Sequence, residues 1–164
     1  MKIGVTRETF PGENRVALVP DSVKKLKQMG FSVFIEKGAG ETAFITDEDF
    51  TAEGAVICGS ALEVYSNSEI ILQVKPPTGD STTGFIIPEI GTGKLIISFL
   101  TPLNNPLYIQ NLAEKGINAV AMEFIPRSTK AQRMDALSSQ NNLAGYKAVI
   151  TAAYHYGRIF PMLM

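Results

Sequence analysis

The chain alternates short apolar runs, rich in β-branched residues, with segments that carry helix start and stop signals. Nowhere does a hairpin dipeptide such as Asn-Gly join two of the runs. The runs fall at residues 2–5, 31–36, 55–58, 69–74, 94–100 and 117–124. Strands that are not joined by tight turns need crossover connections, and a crossover sets the next strand parallel to its predecessor. The expected class is α/β: a mostly parallel sheet with helices on both faces, ending in a long C-terminal helix.

The helix signals are local and specific. Pro20-Asp21 opens a helix in which Asp21 can cap, Val23 and Leu26 form the apolar face, and Gly30 stops the run. Thr46 and Asp49 have capping-box spacing, with Asp in place of the usual Glu. Residues 61–65 read as a helical turn or two. Asn105-Pro106 is a cap followed by proline at the first helical position, and Gly116 closes that helix. Residues 78–93 hold several Gly, Pro and Thr and read as a loop with at most a short helix. From about Leu137 the chain is helical to its end, with Leu143, Tyr146, Ala148, Ile150, Ala152, Ala153 and Phe160 making it apolar over much of its circumference. The expected division is an α/β domain over 1–136 and a long helix over 137–164. The last residues, 160–164, are apolar and lack a charged tail, so the sequence reads as cut off there.

Composition excludes several classes of function. The net charge is −1, and Lys and Arg are scattered, which argues against a nucleic-acid surface. Cys58 is the single cysteine and lies in an apolar run, so it reads as a small core residue in a reducing compartment. One Cys and one His make a poor metal-ligand set. The N-terminus lacks the apolar stretch of a signal peptide, and no run approaches the length that spans a bilayer, so the chain itself reads as soluble.

Chemistry-bearing residues concentrate in 127–146, RSTKAQRMDALSSQNNLAGY, between an apolar run and the long helix. Polar residues where a strand's carboxyl end hands over to a helix mark the usual site-bearing edge of an α/β sheet. A solvated loop with a helix N-cap is the plainer alternative. Arg127 and Asp135 can pair, which would keep the carboxylate ionised. Gln132 would then be free to present an amide, and Ser138 to cap the helix or bond a ligand. Such a set suits a planar polar group such as a carboxamide, and contains no obvious nucleophile or proton shuttle.

Other candidates are weaker. Gly38-Ala39-Gly40 with Ala43 gives a partial dinucleotide pattern, but the next helix starts too late and no acidic residue ends the following strand. It reads as a turn. Arg15 and Lys75 lie on loops beside strand ends and could hold a carboxylate, though their position alone favours solvated charges. His155 sits between Tyr154 and Tyr156 without a nucleophile near it in sequence, and reads as packed or partly exposed.

The blocks KIGVTRE, ENRVALVP at 13–20, EKGAGE at 36–41 and above all PRSTKAQRMDALSSQNNLAGYKAV at 126–149 carry a family resemblance over the whole chain. The sequence resembles the N-terminal part of the alpha subunits of proton-translocating NAD(P) transhydrogenases, relatives of the alanine dehydrogenases. The resemblance implies part of the NAD(H)-binding domain of an oxidoreductase, with NAD(H) held in a cleft whose other half is a Rossmann unit beyond residues 137–164. It implies hydride transfer between NADH and NADP+ coupled to proton translocation, with NADP(H) on a partner subunit. By motif match Arg127, Gln132 and Asp135 would act in catalysis, and Arg127, Gln132, Asp135 and Ser138 in cofactor binding. No metal is implied. The implied partners are the NADP-binding and membrane parts and a second copy in a homodimer, with a cytoplasmic location peripheral to the inner membrane through those partners. The 164-residue chain alone is expected to be inactive.

Two other readings stand beside this one. In alanine dehydrogenases an arginine and a lysine matching Arg15 and Lys75 hold the substrate carboxylate, and a catalytic histidine follows the fifth strand. Here that region reads SFLTP, without histidine. A non-enzymatic docking or dimerisation module is the third reading. Ser128 and Lys130 depart from the family pattern, which has an apolar residue and an arginine there.

Overall fold

The computed structural model describes residues 1–78 and 89–159, so most of the expected 78–93 loop and the apolar end at 160–164 lie outside it. The chain divides into two compact units, Met1–Ala121 and Met122–Met164.

Among its described residues the first unit holds six strands, all parallel: β1 (Lys2–Val5), β2 (Ser32–Glu36), β3 (Val56–Cys58), β4 (Ile70–Leu72), β5 (Leu95–Ser98) and β6 (Asn118–Ala121). Between them run α1 (Pro20–Gln28), α2 (Asp47–Ala52), α3 (Ala61–Asn67) and α4 (Pro106–Glu114). The strand order is β3-β2-β1-β4-β5-β6, so the direction of winding reverses between β1 and β4. In a parallel sheet the loops beyond the carboxyl ends of such a pair diverge to opposite faces and leave a crevice.

Register explains which helix covers which face. Val5 lies opposite Ile35 and Leu72. With Val23 of α1 and Phe50 of α2, Val5 and Ile35 belong to one buried cluster, and Leu72 packs against it. Gly4 lies opposite Ile71, which belongs to a second cluster with Tyr65, Ile96, Tyr108 and Leu112. Successive strand residues face opposite sides, so α1 and α2 cover one face and α3 and α4 the other. Each fully buried aliphatic side chain contributes about 1.5–3 kcal/mol. Gly4 is required by this packing. A Cβ there would lie 2.7 Å from Val64 Cγ1, and closer still to the Ser68 hydroxyl.

The element boundaries expose the local chemistry. At α2 both halves of the capping box form: the Asp49 amide donates to Thr46 Oγ1 (3.2 Å) and the Thr46 amide to Asp49 Oδ2 (2.9 Å). Asp21 does not cap α1. That helix starts one residue earlier, with Pro20 in its first turn and Val19 as the N-cap, because proline already fits the first helical position. Asn105 precedes α4 without a side-chain cap. Its amide instead donates to the Thr101 hydroxyl (2.5 Å) and carbonyl (3.3 Å), tying down a residue at positive φ. The apolar run at 117–124 is strand only to Ala121 and continues as a 3-10 turn, Met122–Phe124.

The second unit consists of that turn, a second 3-10 turn at Gln132–Met134 and α5 (Ala136–Tyr156). Gly157 ends α5 in the left-handed conformation. Residues 141–159 are all exposed, among them Leu143, Tyr146 and Ile150. Among the described residues no helix is long and apolar enough to cross a membrane.

Candidate functional site

The polar stretch folds into a short staircase of turns. The Ala131 amide donates to the Ser128 carbonyl (3.0 Å), the Met134 amide to the Ala131 carbonyl (2.8 Å) and the Asp135 amide to the Gln132 carbonyl (3.3 Å). Asp135 then caps α5. Its Oδ1 accepts the Ser138 amide at 3.0 Å and its Oδ2 the Ser138 hydroxyl at 2.6 Å, while the Ser139 hydroxyl donates to the Asp135 carbonyl at 3.3 Å.

These turns surround a cleft of about 260 Å³ lined by Arg127, Ser128, Thr129, Gln132, Asp135 and Ser138. All four side chains singled out in the sequence therefore meet in one place. The Arg127–Asp135 pair expected above does not form: among the described residues no ion pair joins them. Ser138 takes both carboxylate oxygens, because a helix N-terminus presents an unpaired amide at the right distance. The Ser138 hydroxyl, then its amide, hold the Asp135 carboxyl below its usual range, and Arg127 adds only its field. The Arg127 guanidinium and the Gln132 amide carry no hydrogen bond or ion pair among the described residues. Both are exposed. A guanidinium and a primary amide facing one cleft can grip a planar group bearing a carbonyl and an amide nitrogen.

A second set of polar residues collects in the first unit, beyond the carboxyl ends of β1 and β4 where the winding reverses. Glu8 accepts the Val74 amide at 2.6 Å and the Lys75 amide at 3.0 Å. Burial pushes its carboxyl above the usual range, against the lowering effect of those two donors. Glu13 accepts Nε and Nη2 of Arg15, each at 2.7 Å, and lies 3.7 Å from Lys75 Nζ. Its hydrogen bond to Arg15 keeps the Glu13 carboxyl low. Lys75 also lies 3.9 Å above the Phe10 ring. Arg15 and Lys75 are thus partners of one carboxylate, not the solvated charges that position alone suggested. Sequence reasoning missed Glu8 and Glu13 as organisers, since only the strand order brings residue 75 beside residues 8–15.

The remaining candidates fall out as ordinary structure. Gly38 and Gly40 form a turn: the Gly38 amide donates to Asp47 Oδ1 (2.9 Å), and a Cβ on Gly40 would meet the Ile45 carbonyl at 2.7 Å. Cys58 is buried, and burial raises its thiol. His155 is exposed on α5, its ring edge-on to that of Tyr154 at 5.0 Å.

Comparison with known proteins gives a consistent answer. Residues 4–144 match the family described as Alanine dehydrogenase/PNT, N-terminal domain. The chain is 43% identical over 164 residues to the first part of NAD(P) transhydrogenase subunit alpha of Rhodospirillum rubrum, covering 100% of this chain and 43% of that one. It is 32% identical over 161 residues to an alanine dehydrogenase of Mycobacterium tuberculosis, covering 96% of this chain and 41% of the other. Among solved structures, that of a transhydrogenase from Sinorhizobium meliloti superposes with a TM-score of 0.86 at 41% identity, over 100% of this chain and 47% of that chain. This chain therefore spans less than half the length of these relatives. With the parallel sheet and the matched segment in hand, the chain belongs to the alanine dehydrogenase/PNT N-terminal domain family.

Proposed function

We propose that this chain is the first portion of the NAD(H)-binding region of an NAD(P) transhydrogenase, and that the cleft at 127–138 holds the nicotinamide end of the cofactor. The observation that carries the reading is the pair of uncommitted side chains, Arg127 and Gln132, beside the Asp135–Ser138 cap in one cleft. Gln132 can donate to and accept from a carboxamide at once, and Arg127 adds a forked cation. NADH, when bound, would supply a hydride to NADP+ on a partner subunit, and in the reverse direction NAD+ would accept one from NADPH. What this asks of the chain is position: a cap that fixes the loop, an amide that fixes the ring, and no proton shuttle.

In this reading the partners are the NADP-binding and membrane parts of the assembly, with a second copy in a homodimer. The assembly couples hydride transfer to proton movement, and the chain lies at the cytoplasmic face of the inner membrane through those partners. The relatives named as alpha subunits, whole or divided, support such a division of labour. Residues 137–164 would lead from this portion towards the rest of the cofactor cleft. An alanine dehydrogenase reading draws on the more distant 32% relative, and lacks a histidine after β5, where the sequence is SFLTP.

The test is kinetic and uses the full-length assembly. Gln132→Ala should slow hydride transfer by about tenfold or more while weakening NADH by no more than about threefold. Equal losses in both would show uniform binding and remove the positioning role. Turnover of alanine or pyruvate by the same assembly would favour the dehydrogenase reading instead.

A further inference from the structure

Phe44 stands apart from the other described aromatic residues. It is 97% exposed, and its backbone lies in the left-handed region at φ 60°. A bulky side chain is strained there, and an exposed ring gains no burial in return. The other non-glycine residue at positive φ among those described, Thr101, is tied to Asn105, whereas the Phe44 ring is offered to solvent.

The loop that carries it is held by hydrogen bonds. The Phe44 amide donates to the Glu41 carbonyl (3.1 Å) and the Ile45 amide to the Gly40 carbonyl (3.0 Å). The Thr42 hydroxyl donates to the Asn14 carbonyl (3.2 Å), bracing the tip against the loop that follows β1. Beside the ring is an open groove of about 540 Å³ lined by Glu41, Phe44, Ile45, Thr46, Asp47 and Glu48. Its walls carry three acids and no base. A ring carried by a hydrogen-bonded loop at the edge of an acidic groove has the chemistry that takes a guanidinium or ammonium: the aliphatic stem lies on the aromatic face and the charge among the carboxylates.

We propose that Phe44 and the groove beside it form a docking point for a partner protein that presents an Arg or Lys side chain from a basic surface. The charge pattern selects this occupant. A symmetric contact with a second copy would bring Glu41, Asp47 and Glu48 against their own mates, and an anionic lipid surface would be repelled. The proposal is independent of the cofactor reading, since it concerns the loop after β2 and no residue of the 127–138 cleft.

The test places a photo-crosslinking phenylalanine analogue at position 44 of the full chain in its host, identifies the adduct, and measures binding of the purified partner. The partner should bind about tenfold or more weakly to Phe44→Ala and to Glu41→Lys/Glu48→Lys, and weaken as salt rises. Phe44→Gly should lose binding equally while raising Tm by about 2–4 °C, because glycine relieves the left-handed strain. An adduct with a second copy, binding that ignores salt or the Phe44 substitutions, or no adduct at all would overturn the proposal. So would a fall in Tm for both Phe44 variants, which would show that the ring serves the fold.

Discussion

Asp135 shows how much one carboxylate can decide. Both of its oxygens are taken by Ser138, so it fixes where α5 begins and leaves Arg127 uncommitted. The sequence drew attention to this stretch, because a dense polar run between a strand and an apolar helix is visible without coordinates. It could not reveal the pairing, since Arg127 and a free helix amide compete for the same acceptor and only geometry ranks them. Two outcomes follow at this scale. Asp135→Ala should uncap α5 and speed amide hydrogen exchange at Ser138 and Ser139, whereas Asp135→Asn keeps an acceptor and should stay near wild type; equal exchange in both would remove the capping role. The carboxyl is held low in the fold, so its contribution is present at neutral pH and is lost as pH falls below about 4. The Ser138 amide resonance, followed by NMR through that range, should report the loss in wild type and not in Asp135→Asn.

At the scale of the element, where a helix starts was legible from spacing and proline, whereas which side chain caps it was not always so. The Thr46–Asp49 box was visible in the sequence as a spacing and is present in both directions. Asp21 looked like a cap, yet Pro20 already occupies the first helical turn, so the chain enters α1 through Val19 without any side-chain cap. The long helix α5 was evident from its composition, but composition could not tell that residues 141–156 would all be exposed. A mid-helix glycine in such a setting is a net loss: nothing lies within 4 Å of a Cβ built on Gly145. Gly145→Ala should therefore stabilise α5 by up to about 1 kcal/mol, seen as higher helicity at a given urea concentration. Unchanged or lower helicity would mean that the local backbone is not free to accept a Cβ.

For the whole molecule, alternation of strands and helices was enough to foresee a parallel sheet, because every connection without a tight turn must cross over. The strand order was beyond reach, since it depends on pairings between residues that are tens of positions apart, such as Gly4 with Ile71. That order is what brings Lys75 to Glu13 and Arg15, and it converts apparently solvated cations into a balanced cluster. The same scale bears on what the chain can bind. A cleft of about 260 Å³ is smaller than the 300–1,000 Å³ or so of sites that enclose a drug-sized ligand, and its two free ligating side chains are exposed. On the nicotinamide role proposed for it, it would grip one end of a dinucleotide and leave the pyrophosphate and adenosine in water, without the contacts that ordinarily supply most of the affinity. Titration of the 164-residue chain with NADH should accordingly give millimolar or weaker binding by calorimetry, and little further loss for Gln132→Ala. Micromolar binding by this chain would mean that the cofactor is held elsewhere on the first unit or by a second copy, and the nicotinamide role of the 127–138 cleft would have to be given up.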